Sequence, residues 1–238
     1  KKIELAIKSF EKGLLLKPYS SEGHYNIGTA LNMKGNFEKA IIAFSRAVQF
    51  NSKNADAWYN MGIAHMEQGN LIEAIKSYQK TLKIRPDYSD AFYNMGNALQ
   101  RLGKLQEAEE AYINALSLEP NYAEAYLNMG NVLKDQGKIE YAIEAYTKAL
   151  SLRSDYVKAH LNIGTAFKQQ GKLEEAISSY IKALSLKPDY VDAYSNMGIV
   201  LQIQGKLDEA IVSFEKVLKL KPDHAYGHYN MGVIFQNQ

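Results

Sequence analysis

The chain of 238 residues contains no cysteine, which excludes a disulfide framework, a cysteine-ligated metal site and a thiol nucleophile. Arginine is scarce: the 28 basic residues are 24 Lys and 4 Arg, so a clamp built from bidentate guanidinium forks is disfavoured. The 28 basic and 26 acidic side chains leave a net charge of only +2, and no basic stripe of the kind a nucleic-acid surface needs is evident. No apolar run approaches the roughly 18 residues of a membrane helix, so no membrane span is expected, and the compartment leans to the cytoplasm. With 5 Pro, 46% hydrophobic and 23% charged residues, the chain is neither collagenous nor disordered, and it has apolar surface enough for an extended core.

What is present is a phrase repeated every 34 residues: Asn-Ile-Gly at 26–28 and 162–164, and Asn-Met-Gly at 60–62, 94–96, 128–130, 196–198 and 230–232. A second glycine follows seven residues later, at Gly35, Gly69, Gly103, Gly137, Gly171 and Gly205. Then come Ala40, Ala74, Ala108, Ala142, Ala176 and Ala210, and four residues beyond each an aromatic, Phe44, Tyr78, Tyr112, Tyr146, Tyr180 or Phe214. Pro86, Pro120, Pro188 and Pro222 mark a boundary in the same register, with Pro18 in the leading fragment and Ser52 and Ser154 as departures. A fixed period of this length signals stacked supersecondary units and not one globular core.

Each unit reads as two helices around a glycine turn. In the third, Ala91, Met95, Ala98, Leu99 and Leu102 recur at three- and four-residue intervals, Gly103 breaks the run, and Ala108, Ala111, Tyr112, Ala115, Leu116 and Leu118 resume it. The boundary proline stops the second helix, and Asp87, Asn121, Asp155, Asp189 and Asp223 are placed to cap the next one. Gly62 or Gly96 on the first helix and Ala74 or Ala108 on the second mark points of close approach, with the aromatics filling the adjoining space.

These residues resemble the tetratricopeptide-repeat family. Its pattern of aromatic, apolar, Gly, Ala, aromatic, small residue and Pro stands in unit two as Trp58, Met61, Gly62, Ala74, Tyr78, Thr81 and Pro86, and in unit six as Tyr194, Met197, Gly198, Ala210, Phe214, Val217 and Pro222. His24, His160 and His228 depart from it in the leading aromatic slot, and His65 in a later apolar slot. The resemblance implies an all-α fold, a right-handed α-solenoid of helix-turn-helix repeats with first helices lining its concave face. One array over 1–238 is expected, with full repeats at 19–52, 53–86, 87–120, 121–154, 155–188 and 189–222. Residues 1–18 match only a second helix and 223–238 only a first, so the chain reads as a segment of a longer protein.

No catalytic residue, metal site or cofactor site is expected. Gly96 and Gly103-Lys104 mimic a phosphate loop, but the glycine spacing is wrong and Leu105 stands where Ser or Thr should bind magnesium. His224 and His228 lie four apart but lack a third ligand of suitable spacing.

What remains is recognition of a protein or peptide. Asn26, Asn60, Asn94, Asn128, Asn162, Asn196 and Asn230 stand at equivalent points of seven first helices, and an amide offers both the donor and the acceptor that a peptide unit complements. With helices about 8–10 Å apart and about 3.3 Å per extended residue, a rung meets every third residue of an extended chain. One turn earlier stand Asp56, Asp90, Glu124, Lys158 and Asp192. The acids also lie in the first helical turn, where a carboxylate favours the helix dipole. The combination resembles the asparagine ladder in the repeat domain of O-linked N-acetylglucosamine transferase, which implies a groove holding extended polypeptide. The chaperone-binding clamp of other family members needs Lys or Arg where this chain has Asn or Tyr. The expected function is therefore a non-enzymatic interaction module, an adaptor or scaffold. Two other readings stay open: the substrate-targeting part of a larger glycosyltransferase or sulfotransferase, and a scaffold whose terminal helices stack head to tail.

Overall fold

The computed structural model describes residues 2–236; of the terminal segments 1–18 and 223–238, residues 1, 237 and 238 lie outside the described residues. Fourteen helices and no strand occur among the described residues. They are α1 (Lys2–Leu16), then the pairs α2 (Ser21–Met33) and α3 (Phe37–Phe50), α4 (Ala55–Glu67) and α5 (Leu71–Ile84), α6 (Ser89–Arg101) and α7 (Leu105–Leu118), α8 (Ala123–Asp135) and α9 (Ile139–Leu152), α10 (Val157–Gln169) and α11 (Leu173–Leu186), α12 (Val191–Ile203) and α13 (Leu207–Leu220), and finally α14 (Ala225–Gln236). The all-α class expected from the sequence is what the chain adopts. The chain divides between Pro120 and Asn121 into two compact units, one holding α1–α7 and the other α8–α14.

Each hairpin turn is built on its second glycine. Gly35, Gly69, Gly103, Gly137, Gly171 and Gly205 have φ between +74° and +77°, a left-handed conformation that glycine adopts without the clash of a Cβ. At the end of α6, Gly103 N donates to Gln100 O at 2.9 Å and Lys104 N to Leu99 O at 3.0 Å. This pair of bonds satisfies the carbonyls a helix end leaves bare.

The first glycine has a different duty. A Cβ placed on Gly62, Gly96 or Gly130 would lie 2.5, 2.7 and 2.5 Å from a ring carbon of Tyr78, Tyr112 and Tyr146. The aromatic of the second helix thus rests directly on the bare backbone of the first. Its other neighbours are alanines with no exposed surface, including Ala74, Ala108 and Ala142, so the helices approach closely enough to seal the ring. Within each unit the hairpins then pack onto one another, because every second helix within a unit also touches the following first helix. In the first unit Ala40, Phe44, Ala47 and Val48 of α3 join Ala57 and Met61 of α4 in one core, with Trp58 against it. In the second, Tyr146 and Ala149 of α9 join Ala159 and Ile163 of α10.

The expected aspartate caps are not caps. Residues 86 and 87 form a turn, and the N-cap falls one residue later, on Tyr88, Tyr122, Tyr156 and Tyr190, none of which caps through its side chain. Where that same position holds a small polar residue the cap is made: Ser20 Oγ accepts from Gly23 N at 3.0 Å and Asn54 Oδ1 from Ala57 N at 2.9 Å. The tyrosines instead support cations, with the Arg85, Arg153 and Lys187 head groups 4.9, 3.5 and 5.0 Å from the ring centres of Tyr88, Tyr156 and Tyr190.

The histidines in the leading aromatic slot follow one rule. His24, His160 and His228 place Nε2 at 3.0, 2.9 and 2.9 Å from the carbonyls of Pro18, Ser154 and Pro222, and Trp58 Nε1 donates to Ser52 O at 3.2 Å. A carbonyl only accepts, so Nε2 carries the proton and each imidazole reproduces the indole's bond.

His65 is different, because its Nδ1 is buried without a partner. Burial holds its pKa below the ordinary 6.5, opposed in part by nearby Glu73. A lowered folded value means that, as pH falls through about 6.5, the unfolded chain takes up a proton that folded His65 resists, and stability declines. Replacing His65 by Leu, the residue found at 31, 99, 133 and 201 in this register, removes that loss. Urea unfolding of both proteins is expected to give a stability gap that widens as pH drops from about 7 to 5; a constant gap would discount the buried nitrogen.

Candidate functional site

The candidate residues lie on the first helices, and each unit presents its own set. On α2, α4 and α6, Asn26, Asn60 and Asn94 are half-buried, and all three follow a tyrosine: Tyr25, Tyr59 and Tyr93. The tyrosine of one repeat reaches the asparagine of the next. Asn60 Nδ2 donates to Tyr25 OH at 3.3 Å and to its own helix at Asp56 O, 2.9 Å. Asn94 Nδ2 donates to Tyr59 OH at 2.9 Å. Burial, then nearby Asp90, pushes the Tyr59 phenol well above its ordinary range, so the hydroxyl remains neutral while it accepts this bond. Much of the ladder's donor capacity in this unit is therefore spent between repeats.

In the second unit the tyrosine position is occupied by Leu127, Leu161 and Ser195, with Tyr229 only before Asn230, and the asparagines part ways. Asn128 stands half-buried on α8. Asn162 Nδ2 donates to Asn131 Oδ1 at 2.7 Å. Asn230 is buried at 7% exposure and turns its amide back to Tyr226 O at 2.7 Å. Among the described residues Asn196, half-buried on α12, has no hydrogen-bond partner within the protein. Seven equivalent backbone positions thus carry chemically unequal amides.

The charged residues one turn earlier also divide. Asp56 is gripped by Arg85 through two bonds of 3.0 and 3.2 Å, and Glu124 by Arg153 at 2.8 Å. Both pairs lie within one repeat and are half-exposed, so each contributes little to stability; their effect is to cancel charge on the face. Asp90 is half-buried, while Lys158 and Asp192 are exposed. Lys168, further along α10, has its pKa lowered by burial. His224 and His228, weighed as a metal pair, have separate duties: His224 Nδ1 accepts from Gly227 N at 3.0 Å as the cap of α14, and His228 binds the Pro222 carbonyl.

Sequence reasoning missed Tyr25, Tyr59 and Asn131 as partners of the ladder, and Arg85 and Arg153 as partners of the acids. The first two carried a signal, a tyrosine directly before the asparagine in three successive repeats; the arginines carried one too, each directly before a boundary residue. No helix of the described residues is long and apolar enough to cross a membrane.

Comparison with known proteins agrees with this architecture. A family model described as TPR repeat matches residues 28–69, 64–103, 130–171 and 164–204; two described as tetratricopeptide repeat match 89–122 and 191–224, and 111–144. No curated protein sequence matches the chain. Among solved structures, MamA is 30% identical with a TM-score of 0.66, covering 68% of this chain and 95% of its own. YrrB, described as a TPR protein with an unusual peptide-binding site, is 22% identical with a TM-score of 0.69, covering 79% and 97%. The pilF protein of Pseudomonas aeruginosa shares the fold at 17% identity, with a TM-score of 0.75 over 90% of this chain and 97% of its own. With the family pattern matched without a gap from residue 28 to residue 224, the chain belongs to the tetratricopeptide-repeat family.

Proposed function

We propose that the chain is a non-enzymatic protein-interaction module that holds an extended polypeptide against the first-helix faces carrying the asparagines. The observation that carries this reading is Asn196, a half-buried amide whose donor and acceptor both lack a partner in the protein. Its amide is open to water and not sealed in the core, so it is available to a ligand, and a peptide backbone supplies a matching donor and acceptor. The peptide-binding site ascribed to YrrB supports the same use of this fold.

The rungs contribute unequally in this reading. A ligand carbonyl gains a new bond at Asn196, about 0.5–1.5 kcal/mol net, but at Asn94 it takes Nδ2 only by displacing Tyr59, an exchange worth little. Asn196→Ala is therefore expected to weaken peptides selected from a random display library by about 2- to 10-fold, with the melting temperature unchanged. Asn94→Ala is expected to lower stability by about 1 kcal/mol instead. If Asn196→Ala binds the selected peptides as tightly as the parent, the asparagine face is not the peptide site.

A further inference from the structure

The second repeat departs from the others at one spot away from the asparagines, where α4 begins beside the end of α5. In the first repeat Tyr19 meets Phe50 edge-on and His24 stacks on Phe50, both at 5.4 Å, and the equivalent cavity, of about 520 Å³, is lined by Pro18, His24, Arg46, Gln49 and Phe50 and also by the acid Glu11. Counting 34 residues on, these become Lys53, Ile84 and Trp58, so two of the rings are gone and one position has become a lysine. The cavity of the second repeat, about 510 Å³, is lined by Ser52, Lys53, Trp58, Lys80, Lys83 and Ile84. No acid lines it, and none of the three lysines forms an ion pair among the described residues. Residue 53 is the anomaly: its equivalents are Asp87, Asp155, Asp189 and Asp223, with Tyr19 and Asn121 in the other two repeats. A base has replaced the acid that would balance the site.

Trp58 already donates its indole N–H to Ser52 O at 3.2 Å, so what it offers a ligand is ring surface. Three ammonium groups around one cavity of this size match several negative charges on one compact group. Acidic side chains along an extended peptide are spread at about 3.3 Å per residue on alternating sides, and carboxylates are better held by Arg forks, which the cavity lacks. Lysine serves phosphate as a point charge. We infer that this niche binds a ring-bearing oligophosphate, the chemical class of nucleotides, with its ring against Trp58 and its phosphates among Lys53, Lys80 and Lys83. Only Ser52 among the lining residues has a neutral polar side chain to read a ring edge, so preference between bases is slight.

Trp58 is the one tryptophan of the chain, and its fluorescence reports from inside the niche. Titration of the full chain with ADP is expected to give a saturable change, matched by GDP, weakened by salt, and at least about tenfold weaker with adenosine or with inorganic pyrophosphate alone. Lys53→Asp, which restores the residue four other repeats carry, is expected to lose at least about tenfold in ADP affinity at unchanged helicity. The assignment is overturned if millimolar ADP produces no saturable change, if Lys53→Asp binds ADP like the parent, or if a hexapeptide of Glu and Phe binds as tightly as ADP.

Discussion

Truncating Tyr112 to alanine is expected to destabilise the first unit by about 3–5 kcal/mol, the range for deleting a sealed aromatic ring. Tyr112 has no exposed surface; its ring lies on Gly96 and its hydroxyl donates to Asn97 Oδ1 at 2.7 Å, with Gln100 Oε1 as a second acceptor 3.1 Å away. Removing it empties a space bounded by fixed backbone, which has little freedom to collapse. Tyr112→Phe keeps the ring and loses only the hydroxyl, at about 1 kcal/mol, and the slot accepts Phe44 and Phe214 elsewhere. Urea unfolding followed by circular dichroism measures the totals. Because stacked repeats touch only their neighbours, amide exchange should localise the loss to α6, α7 and the helices beside them. Equal costs for the two variants would mean that the hydroxyl, not the packed ring, holds the hairpin.

Gly130→Val is expected to cost about 3 kcal/mol, although valine ordinarily favours a helix interior over glycine by a few tenths. The sign reverses because the first added carbon would sit 2.5 Å from the Tyr146 ring, and overpacking a sealed site forces neighbours off their minima. A double-mutant cycle with Tyr146→Leu tests the cause: relieving the ring should recover about 1–3 kcal/mol of the combined loss. Gly137→Ala is the contrast. No atom lies within 4 Å of its added carbon, but its φ is +77°, so it should cost about 1–2 kcal/mol and show no coupling to Tyr146. A cycle that closes additively at Gly130 would rule out the ring as the reason for that glycine.

Much of the fold was legible because it rests on local rules. The turn glycines, the alanines and the aromatic four residues later each answer a requirement inside one hairpin, and a hairpin is contiguous in sequence. The caps were misread for a related reason. Asp87 looks like a cap by type, but the Pro-Asp turn delays the helix by one residue, and only Ser20 and Asn54, in the true register, revealed where it begins. The site was legible only as backbone placement. Whether an asparagine is spent or open depends on the residue 35 positions back, Tyr25 for Asn60 and Tyr59 for Asn94, or 31 back, Asn131 for Asn162. Those are questions about neighbouring repeats. A period read one unit at a time does not ask them, and so Asn196 looked no different from Asn60.

The ring that closes each hairpin also has a far end. Tyr146 enters from α9, passes under Gly130 and brings its hydroxyl to Asn131 Oδ1 on α8 at 2.8 Å, the same oxygen that receives Asn162 Nδ2 of the next repeat at 2.7 Å. One oxygen thus joins a sealed interior side chain to a rung of the next repeat. Interior and surface are not separable by exposure in this chain: a conservative change of Tyr146 to Phe, silent in volume and polarity of the core, is a change to how the asparagines of α8 and α10 are aimed. Where the slot holds Phe44 or Phe214, the residue at the Asn131 position is Thr29 or Ile199, so the loss of the hydroxyl inside goes with the loss of an asparagine on the first helix, written from the opposite side of the hairpin.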